Sequence, residues 1–207
     1  MSPSDIGKAY DQITHIWQDK GFDQTNGIQQ HKKALTFFNA NKTKTRHEKT
    51  KALDIGCGCT GRFIDLLQSE SIEITGLDVS SEMLAIAKQR NPDVAFFHAD
   101  ICDYQLSDKY DFITAWDSIW HIPLQQQRSV ITKIVDSLNK GGVFIFSFGG
   151  VEDEDEHRDD TMGPTVYYST LGMNGFLTLF MNLGCKIKHV EFDQPPELHA
   201  YIIVEKV

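Results

Sequence analysis

A chain of 207 residues with 41% hydrophobic and 11% aromatic content can fill one core and is too short for two full domains. A formal charge of −9 disfavours nucleic acid and anionic membrane as partners, because affinity for either rests on Lys and Arg neutralising phosphates. The first residues hold no basic start followed by an apolar core, and no window has the uninterrupted apolar length of a bilayer span, so a cytoplasmic protein is expected.

Cys57, Cys59, Cys102 and Cys185 lie in or beside apolar runs, which suits reduced core residues better than a disulfide framework. Ile6, Tyr10, Ile13, Ile16 and Trp17 recur at spacings of three and four, which predicts one amphipathic helix over 4–19, ended by Gly21. A second helix is expected over 27–39, with Ile28, Ala34, Leu35 and Phe38 inward. Residues 1–48 therefore read as a helical cap on a single domain whose main body is 49–207. Lys42, Lys44, Arg46, Lys49 and Lys51 make the connection between them a solvated basic linker.

From residue 50 short β-rich runs alternate with helical patterns: strand 51–55, helix 61–69, strand 72–77, helix 81–89, strands 94–97 and 111–115, helix 124–139, strand 142–147. That alternation implies a doubly wound α/β sheet, with parallel strands, right-handed crossovers and both faces covered. After Phe148 the rhythm changes to a polar loop over 149–166, acidic at 152–156, then a helix near 168–183 closed by Gly184. Two last runs, 185–193 and 199–206, are split by Gln194-Pro195-Pro196-Glu197 and are close enough to pair only as an antiparallel hairpin. The sheet is thus expected to finish with an inverted strand.

Leu53-Asp54-Ile55-Gly56-Cys57-Gly58-Cys59-Thr60-Gly61 puts a glycine-rich turn at the carboxyl end of the first strand, where open α/β sheets bind nucleoside cofactors. Asp54 precedes the first glycine by two residues, and Asp78 follows the next strand. Gly56-x-Gly58-x-x-Gly61 followed by Asp78 also satisfies the spacing of a dinucleotide site, so spacing leaves both cofactors open. Asp54, Asp100 and the terminal hairpin weigh against the dinucleotide.

Four pieces, Asp54 to Gly61, Asp78, Ala99-Asp100-Ile101 and Trp116-Asp117-Ser118, carry a likeness that runs from about residue 50 to the end. There the chain resembles the class I S-adenosylmethionine (SAM)-dependent methyltransferases. The resemblance implies a Rossmann-like seven-stranded sheet of order 3-2-1-4-5-7-6 with strand 7 alone antiparallel, and S-adenosyl-L-methionine as cofactor. It implies that the backbone of Gly56, Cys57 and Gly58 approaches the methionine moiety while Asp54 helps hold its ammonium. Asp78 then receives the ribose hydroxyls, Met83 covers ribose or adenine, and Asp100 with the Ile101 backbone takes the adenine edge. Val79, Trp116 and Tyr10, the last at the cofactor carboxylate, complete the cofactor-binding set. No metal ligand is assigned, and the run 152–160 is read as a solvated loop at the cofactor edge.

Methyl transfer is an in-line displacement for which the protein has chiefly to bind, align and exclude water. His121, four residues after Asp117, is the candidate catalytic base, since an ordinary imidazole pKa suits that task. The segment after the fourth strand lacks the Asn/Asp-Pro-Pro-aromatic signature with which related enzymes grip a planar nitrogen. With the negative charge, this points to a small-molecule methyl acceptor, walled by Trp116, Trp120, Tyr167, Tyr168, Tyr10 and Trp17. The expected activity is that of a small-molecule methyltransferase, monomeric or homodimeric. The alternatives are a SAM-binding regulator or partner without catalysis, and an NAD-dependent oxidoreductase.

Overall fold

The computed structural model describes residues 1–40 and 49–207. Lys42, Lys44 and Arg46 of the basic linker lie outside the described residues, as does the boundary placed at 48. No helix among the described residues is long and apolar enough to cross a membrane.

The single helix expected over 4–19 is two. Ser2 accepts the Asp5 amide on its hydroxyl while Asp5 takes the Ser2 amide in return, and Pro3 follows in the first turn, so α1 (Pro3–Asp11) begins at a complete capping box. It ends at Asp11, whose carboxylate is drawn to another helix, and the short α2 (His15–Gln18) follows. The apolar spacing runs through the break because Tyr10 and Trp17 remain on one side, with ring centroids 5.2 Å apart. Helix α3 (Ile28–Ala40) buries Ala34, Leu35 and Phe38, as the pattern predicts.

The alternating body then appears: β1 (Lys51–Ile55), α4 (Arg62–Ser69), β2 (Glu73–Asp78), α5 (Ser81–Arg90), β3 (Ala95–His98), β4 (Tyr110–Ala115), α6 (Leu124–Ser137) and β5 (Leu138–Gly149). The polar loop expected over 149–166 instead contains β6 (Asp155–Asp159), paired antiparallel with β7 (Val166–Thr170) as a separate two-stranded ribbon. Charged residues hid the strand: β6 is almost wholly solvated, so it carries no apolar alternation to read. Val166 to Thr170, aromatic and β-branched, go to that ribbon, and α7 (Gly172–Asn182) therefore starts later than predicted. The terminal hairpin is β8 (Cys185–Phe192) and β9 (His199–Lys206).

The main sheet has the order β3-β2-β1-β4-β5-β9-β8, with β9 antiparallel to both of its neighbours. Counting main-sheet strands alone, this is the expected 3-2-1-4-5-7-6. Along β5, Val143 and Ile145 pack with Ala34, Leu35, Phe38 and Phe112, while Phe144, Phe146 and Phe148 pack with Ile131, Phe176 and Phe180. Successive side chains of one strand thus bury on opposite faces, the mark of a central strand covered on both sides. Helix α3 belongs to one of these covering layers. Helices α1 and α2 lie instead at the carboxyl edge of the strands, over the break between β1 and β4, where the direction of strand winding reverses.

Candidate active site

A cavity of about 350 Å³ opens at that reversal. Its floor is made of turns that follow β1, β2, β3 and β4, and its roof of α1 and α2. Tyr10, Gly56, Cys57, Gly58, Asp78, Val79, Met83, Asp100, Ile101, Trp116 and His121 all line it, so nearly the whole set named from sequence converges on one space.

Asp54 is the exception. Alternation along β1 turns it to the same face as Ala52, where it is 2% exposed and absent from the cavity wall. Burial pushes its pKa up to about 7, against the lowering influence of Arg62 and with the raising influence of Asp78. A direct grip on an ammonium group, expected of it from the resemblance, is not what this position offers.

The turn after β1 is locked both to β2 and to the turn after β4. Gly56 and Cys57 donate their amides to the Leu77 carbonyl, and Ser118 donates its hydroxyl to the Ile55 carbonyl at 2.7 Å. Gly56 has φ 71°, and a Cβ there would lie 2.2 Å from the Ser118 Cβ. At Gly58, φ 56°, a Cβ would meet nothing within 4 Å, so the backbone faces open cavity. The Gly58 amide donates to Oδ2 of Asp78 and the Ser80 amide to Oδ1, each at 2.8 Å. Each oxygen keeps a further lone pair, which suits a pair of vicinal hydroxyls. Burial raises the Asp78 pKa although these amides lower it.

Arg62, which sequence reading passed over, heads α4 and lines the same cavity. Its Nε donates to the Asn26 carbonyl and Nη1 to Thr60 Oγ1. The first turn of α4 has Gly61 as N-cap and no side-chain cap. A cation beside uncapped amides is a site for an anionic group, and the position directly after the glycine turn was the available signal.

His121 departs from its expected state. Its Nδ1 donates to the Tyr167 carbonyl at 2.7 Å, while Nε2 accepts from the Tyr10 hydroxyl at 2.7 Å and from Trp120 Nε1 at 3.0 Å. Burial pushes its pKa down to about 4, outweighing the Tyr167 bond and Asp117. It is neutral near pH 7 with its lone pair already committed, which is a holding role and a poor start for a base.

Across the cavity stands a second histidine that the sequence did not single out. His199, at the start of β9, is bonded through Nε2 to Oδ1 of Asp117 at 2.9 Å and through Nδ1 to Oδ1 of Asp193. Burial lowers its pKa, but the two carboxylates prevail and hold it at about 9. Asp117 has φ 51° and its amide donates to Ser147 Oγ, which returns a bond to Oδ1. Of the expected aromatic wall, Tyr10, Trp17, Trp116, Trp120 and Tyr168 face the cavity. Tyr167 does not; alternation along β7 sends its hydroxyl to Glu156 and the Leu124 amide.

Residues 52–142 match the family described as "Methyltransferase domain". The chain is 36% identical over 85 residues to a dTDP-3-amino-3,6-dideoxy-alpha-D-glucopyranose N,N-dimethyltransferase of Streptomyces fradiae, covering 40% of this chain and 33% of that one. It is 28% identical over 153 residues to a ubiquinone biosynthesis O-methyltransferase of Vibrio atlanticus, covering 71% and 62%. The chain thus spans less than two thirds of the length of either relative. Among solved structures, a SAM-dependent methyltransferase from Clostridium acetobutylicum superposes with TM-score 0.67 at 16% identity, over 95% of this chain and 98% of the other. A magnesium protoporphyrin IX methyltransferase from Synechocystis with bound SAM superposes with TM-score 0.67 at 15% identity, over 100% and 98%. Residues 52–142 thus match a methyltransferase domain, within a chain whose fold is that of the SAM-dependent methyltransferases on which it superposes.

Proposed function

We propose that this chain is a SAM-dependent methyltransferase acting on a small molecule. One observation carries the reading: Asp78, the open Gly58 backbone and Arg62 with the uncapped α4 amides stand along one cavity and offer groups suited to a ribose, a linker and a carboxylate. When bound, SAM supplies a methyl group already activated on a sulfonium.

The residues divide the work of holding it. Asp78 receives the ribose hydroxyls, and Met83 and Ile101 flank the adenine, with Val79 beside them. Asp100 keeps one oxygen on the Cys102 amide at 2.8 Å and offers the other to the adenine amino group. Arg62 and the α4 amides take the carboxylate. Trp116 closes the floor, and Tyr10, fastened to His121, closes the roof and excludes water. Helices α1 and α2 act as the cap of this site. The Streptomyces fradiae relative, an amino-sugar enzyme by name, and the ubiquinone-pathway relative from Vibrio atlanticus support a small acceptor.

Calorimetric titration with SAM, S-adenosylhomocysteine and NAD tests the cofactor. Heat is expected with the first two; heat with NAD alone turns the reading into an oxidoreductase. Incubation with SAM and a metabolite extract is then expected to yield S-adenosylhomocysteine, and its failure to appear points to a binding protein without catalysis.

A further inference from the structure

Resting on that reading of the site, we infer that the methyl acceptor presents an aliphatic amine, received as its ammonium form by Asp117. The carboxylate stands at the end of β4 in the left-handed region, φ 51°, which a non-glycine residue occupies at a cost and which Asp and Asn tolerate best. Its Oδ1 is held by Ser147 and His199, and Oδ2 has no hydrogen-bond partner among the described residues. Asp117 is part of the cavity wall, so that oxygen is the one open to a donor.

The surroundings suit a cation. Tyr10, Trp17, Trp120 and Tyr168 line the same space and surround it with aromatic rings. Glu197 stands in the wall as well, and Asp193 lies behind His199. Three carboxylates against one imidazolium and the Arg62 guanidinium, which also lines the cavity, leave this side net negative. The high pKa of His199 is the local sign of that field.

The state of the two imidazoles argues the same way. A hydroxyl acceptor has to shed its proton to a base, but His121 already receives two donors on its lone pair. His199 carries both of its protons against carboxylates. An aliphatic amine needs no base from the protein, because the proton that its ammonium sheds can go to solvent water. Its ammonium gives one proton to water, and the nitrogen lone pair then forms the N–C bond as the C–S bond breaks and its electron pair returns to sulfur. The positive charge leaves sulfur and appears on nitrogen beside Asp117, where a fixed carboxylate favours the transition state.

Matched pairs test this: benzylamine against benzyl alcohol, and cyclohexylamine against cyclohexanol, titrated calorimetrically near neutral pH into protein saturated with S-adenosylhomocysteine. Each amine is expected to bind about tenfold or more tighter than its alcohol, the margin of one charge-assisted hydrogen bond. Asp117→Asn keeps the shape, the left-handed backbone and an oxygen for Ser147 and His199, and is expected to abolish the preference. Equal binding of amine and alcohol, no binding of either, or a preference that survives in Asp117→Asn overturns the inference. The wild-type comparison stands even if the variant does not fold. Absence of heat with S-adenosylhomocysteine itself removes the cofactor reading and this one with it; heat with it but no amine preference removes this one only.

Discussion

Tyr10 donates its phenolic hydrogen to Nε2 of His121 at 2.7 Å, fastening the first helix to the turn after β4 across the mouth of the cavity. Because His121 stays neutral down to about pH 4, the bond persists through the physiological range. Tyr10→Phe is expected to cost about 1 kcal/mol in urea unfolding, the net worth of one such bond. It is also expected to raise the Kd for SAM severalfold while changing the far-ultraviolet circular dichroism little.

His199 sets the alkaline side of the stability curve. Its folded pKa of about 9 lies above the roughly 6.5 of an unfolded imidazole, so its contribution is complete below about pH 6.5 and is lost as pH rises to 9. On the acid side His31 and His121, pushed by burial to about 3 and 4, lose stability as pH falls from about 6.5. Asp54, held at about 7 by burial, keeps its proton in the folded state and works in the opposite sense there, and burial raises Asp78 in the same direction. Urea midpoints measured from pH 5 to 9 should therefore show a shallow acid limb and a steeper alkaline one. His199→Gln should flatten the alkaline limb; a slope unchanged in that variant contradicts the assignment.

Two glycines two residues apart should respond differently to the same methyl group. At Gly56 a Cβ meets Ser118 at 2.2 Å in a half-buried turn, so Gly56→Ala has to separate the ends of β1 and β4. A loss of about 3 kcal/mol or more is expected, combining backbone strain with overpacking. Gly58→Ala meets nothing and bears only the strain of positive φ, about 1–2 kcal/mol. Its larger effect should be on SAM affinity, since the methyl group fills the space the cofactor backbone needs. Thermal melts and calorimetry on both variants separate the two outcomes.

Lys133 on α6 acts on the adenine end from outside the cavity. Its ammonium donates to the carbonyls of Ile101, Cys102 and Tyr104, gathering the loop that presents Asp100 and Ile101. Lys133→Met is expected to raise KM for SAM by about tenfold through a loosened loop, with acceptor KM unchanged. Lys133→Arg should recover part of the loss. Equal rises in both KM values would assign the lysine to general stability.

The sheet and most of the residues that line its cavity were legible because they follow from chain-local rules: buried strands read as apolar runs, and the glycine turn and trailing acids sit at fixed places on them. Ribbon β6–β7 was not legible, because its first strand is solvated and carries charge where a pattern would need apolar residues. His199 was hidden for a different reason: its partners Asp117 and Asp193 come from separate strand ends, and only the antiparallel return of β9 brings them together. Asp54 shows the converse failure. A motif position predicts where the backbone goes, whereas the parity of the strand decides which side the carboxylate takes.

The opposite walls of the cavity are carried by different parts of the molecule. Gly58, Asp78, Val79 and Asp100 ride on strand ends and turns of the main sheet, but Tyr10, Trp17, Met162 and Tyr168 belong to segments that hang from the margin: α1, α2 and the β6–β7 ribbon. Gly7 on α1 approaches Val79 so closely that a Cβ would fall 2.5 Å from its carbonyl oxygen, and Asp11 caps α5 through Ser80 and the Glu82 amide. The docking rim is thus fixed by backbone fit, independent of what the pendant aromatics select. Grafting a ribbon of other composition between Gly150 and Gly172 would retailor the cargo while leaving the donor's seat untouched.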